Sequence, residues 1–224
     1  MRQALILGTT NTGKVRELVA LLEPHGIRVV SLRECPGGVT VEETGQTFAE
    51  NAALKASQQA VALKAWVLAE DSGLCVDALG GAPGIHSARF SGGGDDAANN
   101  RLLLERLGGV SAAARGAHYA CHAALADPLG TVVAISQGSC YGRIATAAGG
   151  AGGFGYDPLF VVPEYHRSFG EIAPEVKGVI SHRARAMRAI LPALVRHLAP
   201  WHRRPGLPAE DPSSECAPGR ADGG

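Results

Sequence analysis

"ALILGTTNTGKVRELVALL" (residues 4–22) joins an apolar run, a turn of Thr and Gly, and a helical period, and this order settles the fold class. "QALIL" reads as a buried strand. Val15, Leu18, Val19 and Leu22 recur at i, i+3, i+4 and i+7, so an amphipathic helix is expected from about Lys14. Pro24 and Gly26 should end it. Strand, turn and helix open an α/β fold. The turn also nearly spells the phosphate-binding loop G-x-x-x-x-G-K-[S/T]. Gly8, Gly13 and Lys14 have the spacing, but Val15 stands where a hydroxyl would hold magnesium. Backbone N–H groups and a cation at a helix start still form an anion site. An ordinary strand–helix turn with a surface lysine is the reading a pattern this short favours on its own.

The flanking sequence extends the pattern. "IRVVSL" (27–32) reads as a strand. "TGQTFAENAALKASQQAVAL" (44–63) reads as a helix, with Thr47 and Glu50 in capping-box spacing. "AWVLAE" (65–70) is a strand running into "DSG", and "DDAANNRLLLERLG" (95–108) a helix with an acidic start. "AHYACHAALAD" and "TVVAISQGSCYG" flank "DPLG" as a hairpin. "ISHRARAMRAILPALVRHLA" (180–199) is a helix striped by Ala184, Met187, Leu191, Leu194 and Leu198, with Pro192 expected to kink it. Early alternation and a later antiparallel pair give an α/β fold with a mixed sheet flanked by helices.

The chain has 224 residues, 46% of them hydrophobic, which suits one large domain or two intimate lobes. Its formal net charge is zero, so charge offers no argument for a nucleic-acid polymer or a membrane as partner. The apolar run at the N-terminus is far shorter than a signal peptide or a span. A soluble, cytoplasmic protein is expected. The five cysteines are odd in number and lack C-x-x-C spacing, which argues against a disulfide framework or a structural zinc. From Trp201 apolar periodicity stops and Pro, Gly and Ser dominate. Residues 1–200 read as the domain and 201–224 as a disordered tail with no assigned function.

Five places could carry chemistry. The first is the opening loop. The second is "EDSGLCVD", where Glu70 and Asp71 are expected at the end of an apolar strand. Ligands bind at strand ends in open α/β sheets, and paired carboxylates there need a cation or donors. Glu42 and Glu43 are further acidic candidates, and a solvated acidic turn is the competing reading. The third is Asn51 and Lys55, one helical turn apart beside Glu50, where a solvated face is the favoured reading. The fourth is "GGAGGFGYDP" (149–158), pliable enough to close over a flat ligand, or else a hairpin with its aromatics in the core. The fifth is Ser181, expected to cap the last helix, with His182 and Arg183 in its first turn. A cation there opposes the helix dipole, so an anionic or acceptor-rich ligand is suggested; an Arg reaching solvent is the alternative. His118 and His122 are four apart, but in a strand, and read as plain sheet residues.

Together "LILGTTNTGKVREL", "EETGQTFAENAALKA", "EDSGLCVDALGGAPGIHSARFSG", "GGFGYDPLF" and "ISHRARA" resemble the inosine triphosphate pyrophosphatases, the non-standard purine NTP (dITP/XTP) pyrophosphatase or Ham1-like family. The resemblance runs over most of residues 4–198. It implies an elongated two-lobed fold with the active site in the cleft, a homodimer, and a Mg²⁺-dependent enzyme. Such an enzyme cleaves ITP, dITP and XTP to the monophosphate and pyrophosphate and cleanses the nucleotide pool. By this resemblance Thr9, Thr10, Asn11, Thr12, Gly13 and Lys14 form the triphosphate loop. Glu42 and Asp71 hold magnesium, Asp71 is also catalytic, and Ser72 touches substrate. Phe154, Gly155, Tyr156, Asp157, Lys177, His182 and Arg183 build the purine pocket. Glu70 replaces a frequent Asp, and His86 a frequent Tyr. Lys177 and Arg183 only donate hydrogen bonds, which matches a 6-oxo purine and opposes the 6-amino group of adenine. Refusal of guanine would need another donor facing position 2, and a backbone N–H of the glycine-rich loop is the expected one. A general nucleotide phosphohydrolase and a nucleotide-binding regulator without turnover are the other readings.

Overall fold

The computed structural model describes residues 4–198. The tail from residue 201 lies outside the described residues. Seven strands form one mixed sheet in the order β2-β1-β3-β4-β5-β6-β7. β1 (Leu5–Leu7) is parallel to β2 (Val29–Ser31) and to the start of β3 (Val67–Val76). From β3 onward, through β4 (Gly116–Ala126), β5 (Val132–Ile144), β6 (Phe160–Val162) and β7 (Arg167–Ser168), every pairing is antiparallel. The helices are α1 (Thr12–Leu22), α2 (Phe48–Leu63), α3 (Asp96–Arg106), α4 (Pro174–Ile180) and α5 (His182–Leu198).

Local chemistry explains most boundaries. Asn11 caps α1 by accepting from Lys14 N at 3.0 Å, so the helix begins two residues before Lys14. The capping box of Thr47 and Glu50 opens α2 as expected. Ala52, Ala56 and Ala60 recur at every fourth position on its buried face, and their small side chains bring the helix close to β3 and β4. Ser181 caps α5, accepting from Ala184 N at 3.2 Å. The buried stripe of α5 includes Ala186 and Ile190 besides the expected Ala184, Met187 and Leu194, and the helix continues through Pro192. The hairpin between β4 and β5 closes at Asp127–Gly130. α4 and the two short last strands have no sequence counterpart in the reading above. β6 and β7 span three and two residues, too few to show alternation.

Two long strands carry separate cores. At one end Leu68 and Leu125 pack with Leu5, Leu7, Leu18 and Met187 of β1, α1 and α5. At the other, Leu74, Val76 and Tyr119 pack with Leu103, Phe160 and Phe169. Between these cores β3 carries Glu70, Asp71 and Ser72, and β4 carries Cys121 and His122 opposite them. The polar interval between two apolar ends positions the site. It also corrects an expectation: Glu70 and Asp71 lie inside a ten-residue strand, because β4 pairs with β3 throughout. Only the parallel neighbour stops early. β1 ends at Leu7, opposite Leu68, and leaves the next residues of β3 open on that side.

Gly138 of β5 seats the start of α5. A Cβ there would fall 2.5 Å from Ala186 N and against His182 O, both backbone atoms. Gly138→Ala is therefore expected to cost about 1–3 kcal/mol through overpacking, read as a lowered urea midpoint. An unchanged midpoint would contradict this seating.

Candidate active site

The opening turn places Thr10, Asn11 and Thr12 at the solvent-exposed start of α1, whose first N–H groups lack intrahelical partners, that of Lys14 being taken by Asn11 Oδ1. Thr9 Oγ1 accepts from Asn11 N at 3.2 Å, and Thr10 O accepts from Arg33 Nε at 2.8 Å. Lys14 turns inward, its Nζ 2.8 Å from Glu70 Oε1. Lys14 is thus no free surface lysine.

Beside it, Asn11, Lys14, Ser72 and the "FGYD" residues Phe154–Asp157 line a cavity of about 90 Å³. Lys177, His182 and Arg183 complete its wall. The structure brings the expected loop, purine-pocket and Ser72 residues to one place. Thr9, Thr10, Thr12 and Gly13 flank it along the turn. Asp71 stands on the neighbouring stretch of β3, 6% exposed, with Oδ1 2.8 Å from Lys55 Nζ and Oδ2 3.5 Å from Asn51 Nδ2. Burial pushes its carboxyl above the usual range, and Lys55 offsets only part of that.

Charges alternate through the site without a break. Asp157 meets Lys177 at 2.5 Å, Lys177 meets Glu17 at 2.7 Å, and Glu17 meets Arg183. Arg183 Nη2 reaches Glu70 at 3.4 Å and donates to Ser72 Oγ at 3.0 Å, and Glu70 returns to Lys14. Arg183 is only 2% exposed, so the solvent-reaching alternative is excluded; two carboxylates hold a cation that the helix start disfavours. Burial alone would raise Glu70, but Arg183 and Lys14 hold it well below the usual carboxylate range. His182 is kept neutral by burial and by Arg183, and its ring stacks on Tyr119 at 4.6 Å. Among the described residues three buried side-chain atoms lack a hydrogen-bond partner: Asn100 Oδ1, His182 Nδ1 and Arg183 Nε. Such groups call for an explanation.

Some expectations change. Asn51 and Lys55 do not form a solvated face: Asn51 is wholly buried, and Lys55 joins Asp71 to Glu43. Glu43, whose carboxylate is 3.1 Å from Lys55, is the acid of the "EE" pair that reaches this ion pair; Glu42 is exposed and makes no polar side-chain contact among the described residues. The glycine-rich loop offers fewer donors than expected. The N–H groups of Gly152, Phe154, Gly155 and Asp157 already go to Gly170 O, Asp157, Asp96 and Phe154 O. Glu17 was missed. Its one signal is an acid between Arg16 and Leu18 on the helix that follows the opening turn. His118 packs on Tyr141 and His122 on Phe48.

Burial would raise the Glu17 carboxyl, but Arg183 and Lys177 draw it below the usual range. Its folded pKa is the lower one, so its contribution to stability is present above about pH 4.3 and is lost as the pH falls through the folded value. Glu17→Gln should therefore lose stability less steeply with acid. Urea midpoints at stepped pH test this, and an unchanged slope would mean that Glu17 is not ion-paired in the folded state.

The family model described as "Ham1 family" matches residues 5–193. A Rhodopirellula baltica protein named dITP/XTP pyrophosphatase is 52% identical over 193 residues, 86% of this chain and 93% of its own. A Geobacillus kaustophilus protein of the same name is 50% identical over 82% of this chain and 90% of its own. Among solved structures, a HAM1 protein from Coxiella burnetii superposes with a TM-score of 0.77 at 35% identity, covering 87% of this chain and 99% of that one. The nucleoside-triphosphatase / dITP/XTP pyrophosphatase of Mycobacterium abscessus gives 0.68 at 41% identity, covering 86% and 100%.

Proposed function

The chain belongs to the Ham1 family, and from that premise we propose that it hydrolyses the non-standard purine nucleoside triphosphates ITP, dITP and XTP to the monophosphate and pyrophosphate, clearing them from the nucleotide pool. The observation that carries a preference for a 6-oxo purine over adenine is that Arg183, His182 and Lys177 line one cavity, and that Arg183 Nε and His182 Nδ1 are buried with no partner among the described residues. Arg183 Nε can only donate. A 6-oxo group accepts from it, whereas the 6-amino group of adenine would leave both donors unmatched, at about 1–3 kcal/mol for each buried group.

The triphosphate lies at the open start of α1, within reach of Lys14. Asp71 takes the proton of the attacking water as its oxygen bonds to the α phosphorus and the bond to the pyrophosphate oxygen breaks. Lys55 holds Asp71 in place. Lys14 shares the negative charge gathering on the leaving pyrophosphate.

Mg²⁺ is the proposed cofactor, on Asp71 and Glu42. The donors fit. Both are hard carboxylates, Asp71 is buried with its charge only partly matched by Lys55, and magnesium needs only one or two carboxylates when phosphates supply the rest. Among the described residues no group of three or more His, Cys, Asp or Glu gathers, so the substrate would complete the shell. Bound there, the ion would neutralise phosphate charge. A homodimer and a cytoplasmic location belong to the same reading. The outer face of β5, with Ile135 72% and Tyr141 70% exposed, is the surface we assign to the second copy. Among the described residues no helix is long and apolar enough to cross a membrane.

Purified protein incubated with ITP or ATP and Mg²⁺ tests the reading. IMP and pyrophosphate from ITP, with little product from ATP, are expected. Orthophosphate in place of pyrophosphate, or equal use of both nucleotides, would overturn it.

A further inference from the structure

A second cavity, of about 440 Å³, lies beside the first, and Phe154 and Lys177 line both. The ring of Phe154 is the apolar part of the shared wall. Lys177 Nζ lies 4.9 Å from its centroid and Arg183 Cζ 5.6 Å. The ring also rests on Gly13. A Cβ built there would come 2.7, 2.9 and 3.0 Å from three ring carbons, the first two closer than side chains approach. These are the nearest atoms that a side chain at this position would meet.

Gly13 needs another explanation than its backbone. It is buried in the first turn of α1, and its φ is not among the positive values that favour glycine. Alanine would adopt this conformation and is the better helix former. Phosphate-binding loops use glycine for close backbone approach, yet here the space withheld from a side chain is filled by an aromatic ring. Phe154 follows Gly153, which has a φ of 77° and leaves no room for a Cβ beside Asp157. Gly153 is thus held to glycine by Asp157 and its own backbone, and Gly13 by the ring.

We infer that Gly13 is a positioning residue for base recognition: its missing side chain is the seat that holds Phe154 as the wall between the polar pocket and the larger cavity. This inference rests on the purine-pocket reading. It divides the labour within the turn, with Lys14 and the exposed N–H groups serving phosphates and Gly13 serving the base.

The experiment compares Gly13→Ala, Phe154→Ala and the double variant. The readouts are ITP kinetics, inhibition by inorganic tripolyphosphate as a probe without a base, and Tm. Gly13→Ala should raise KM for ITP about tenfold, change kcat less, and leave the tripolyphosphate Ki within about twofold. Added to Phe154→Ala, it should change KM by less than about twofold, because the ring it disturbs is gone. Gly13→Ala should lower Tm in the parent and not in the Phe154→Ala background, a result that does not depend on ITP being a substrate. A parallel rise of KM and Ki would assign Gly13 to the phosphates and overturn the inference, as would additive effects in the double variant. If Gly13→Ala does not fold, recovery of folding in the double variant supports the seat and continued failure refutes it. If the parent does not turn over ITP, the substrate reading fails by itself, while the Tm comparison still decides whether Phe154 sits on Gly13.

Discussion

Asp71→Asn is expected to lower kcat for ITP by about 10²–10⁴, the span a general base contributes. Asparagine keeps the shape of the side chain and removes the charge that receives the proton. Lys55 would lose the charge of its 2.8 Å partner but keep Glu43 at 3.1 Å, so the cation is not stranded. Asn51, wholly buried beside the same carboxylate, still packs against it. A folded variant with greatly reduced turnover is the anticipated result, checked by single-turnover kinetics together with Tm. Near-normal turnover in a folded Asp71→Asn protein would remove Asp71 from the chemistry.

Arg183→Ala should have its largest effect on the fold. It leaves Glu70, fully enclosed, and Glu17, largely covered, without their shared cation. Each acid keeps one other partner, Lys14 or Lys177, so the cost is that of lost charge-assisted hydrogen bonds, about 1.5–3 kcal/mol, read as a fall in the urea midpoint. A loss that large would obscure any change in base preference, so Arg183→Lys is the variant that reads it. Lysine keeps the charge but lacks the Nε–H donor that has no partner among the described residues. The ratio of kcat/KM for ITP to that for ATP should shrink about tenfold, as the loss of one buried hydrogen bond implies. If both activities fall in step and the ratio holds, Arg183 serves the phosphates or the fold, and its base-reading role is wrong.

Much of this architecture could be read from local sequence. The turn at Gly8–Lys14, the Thr47–Glu50 box and the "DPLG" hairpin are each written within a few residues, and each forms as expected. What escaped depends on partners far along the chain. Asn51 and Lys55 looked like a wet helix face because the strand that buries them, around Asp71, is sixteen or more residues away. Glu17 looked like an ordinary helix acid because its partners are 160 and 166 residues distant. The end of β3 was misplaced for another reason: two adjacent acids after an apolar run read as the end of a strand, whereas cations from α1, α2 and α5 neutralise them inside it. α4 is seven residues long and opens on a proline, too brief for a hydrophobic period to emerge.

The alternating charges from Asp157 to Lys14 have one further consequence. Three acids, Asp157, Glu17 and Glu70, face three bases, Lys177, Arg183 and Lys14, along a single string that touches the base pocket at one end and the phosphate turn at the other. A phosphate that draws Lys14 outward takes a counter-ion from Glu70, which must then lean harder on Arg183. A base that engages Arg183 shifts the same balance from the opposite side. Thermodynamic reciprocity requires the two influences to be equal: whatever engagement of Arg183 takes from the hold on Lys14's ligand, engagement of Lys14 takes from the hold on that of Arg183. In the proposed reading, the two ends of the nucleotide therefore draw on one shared set of counter-ions, and neither is held independently of the other.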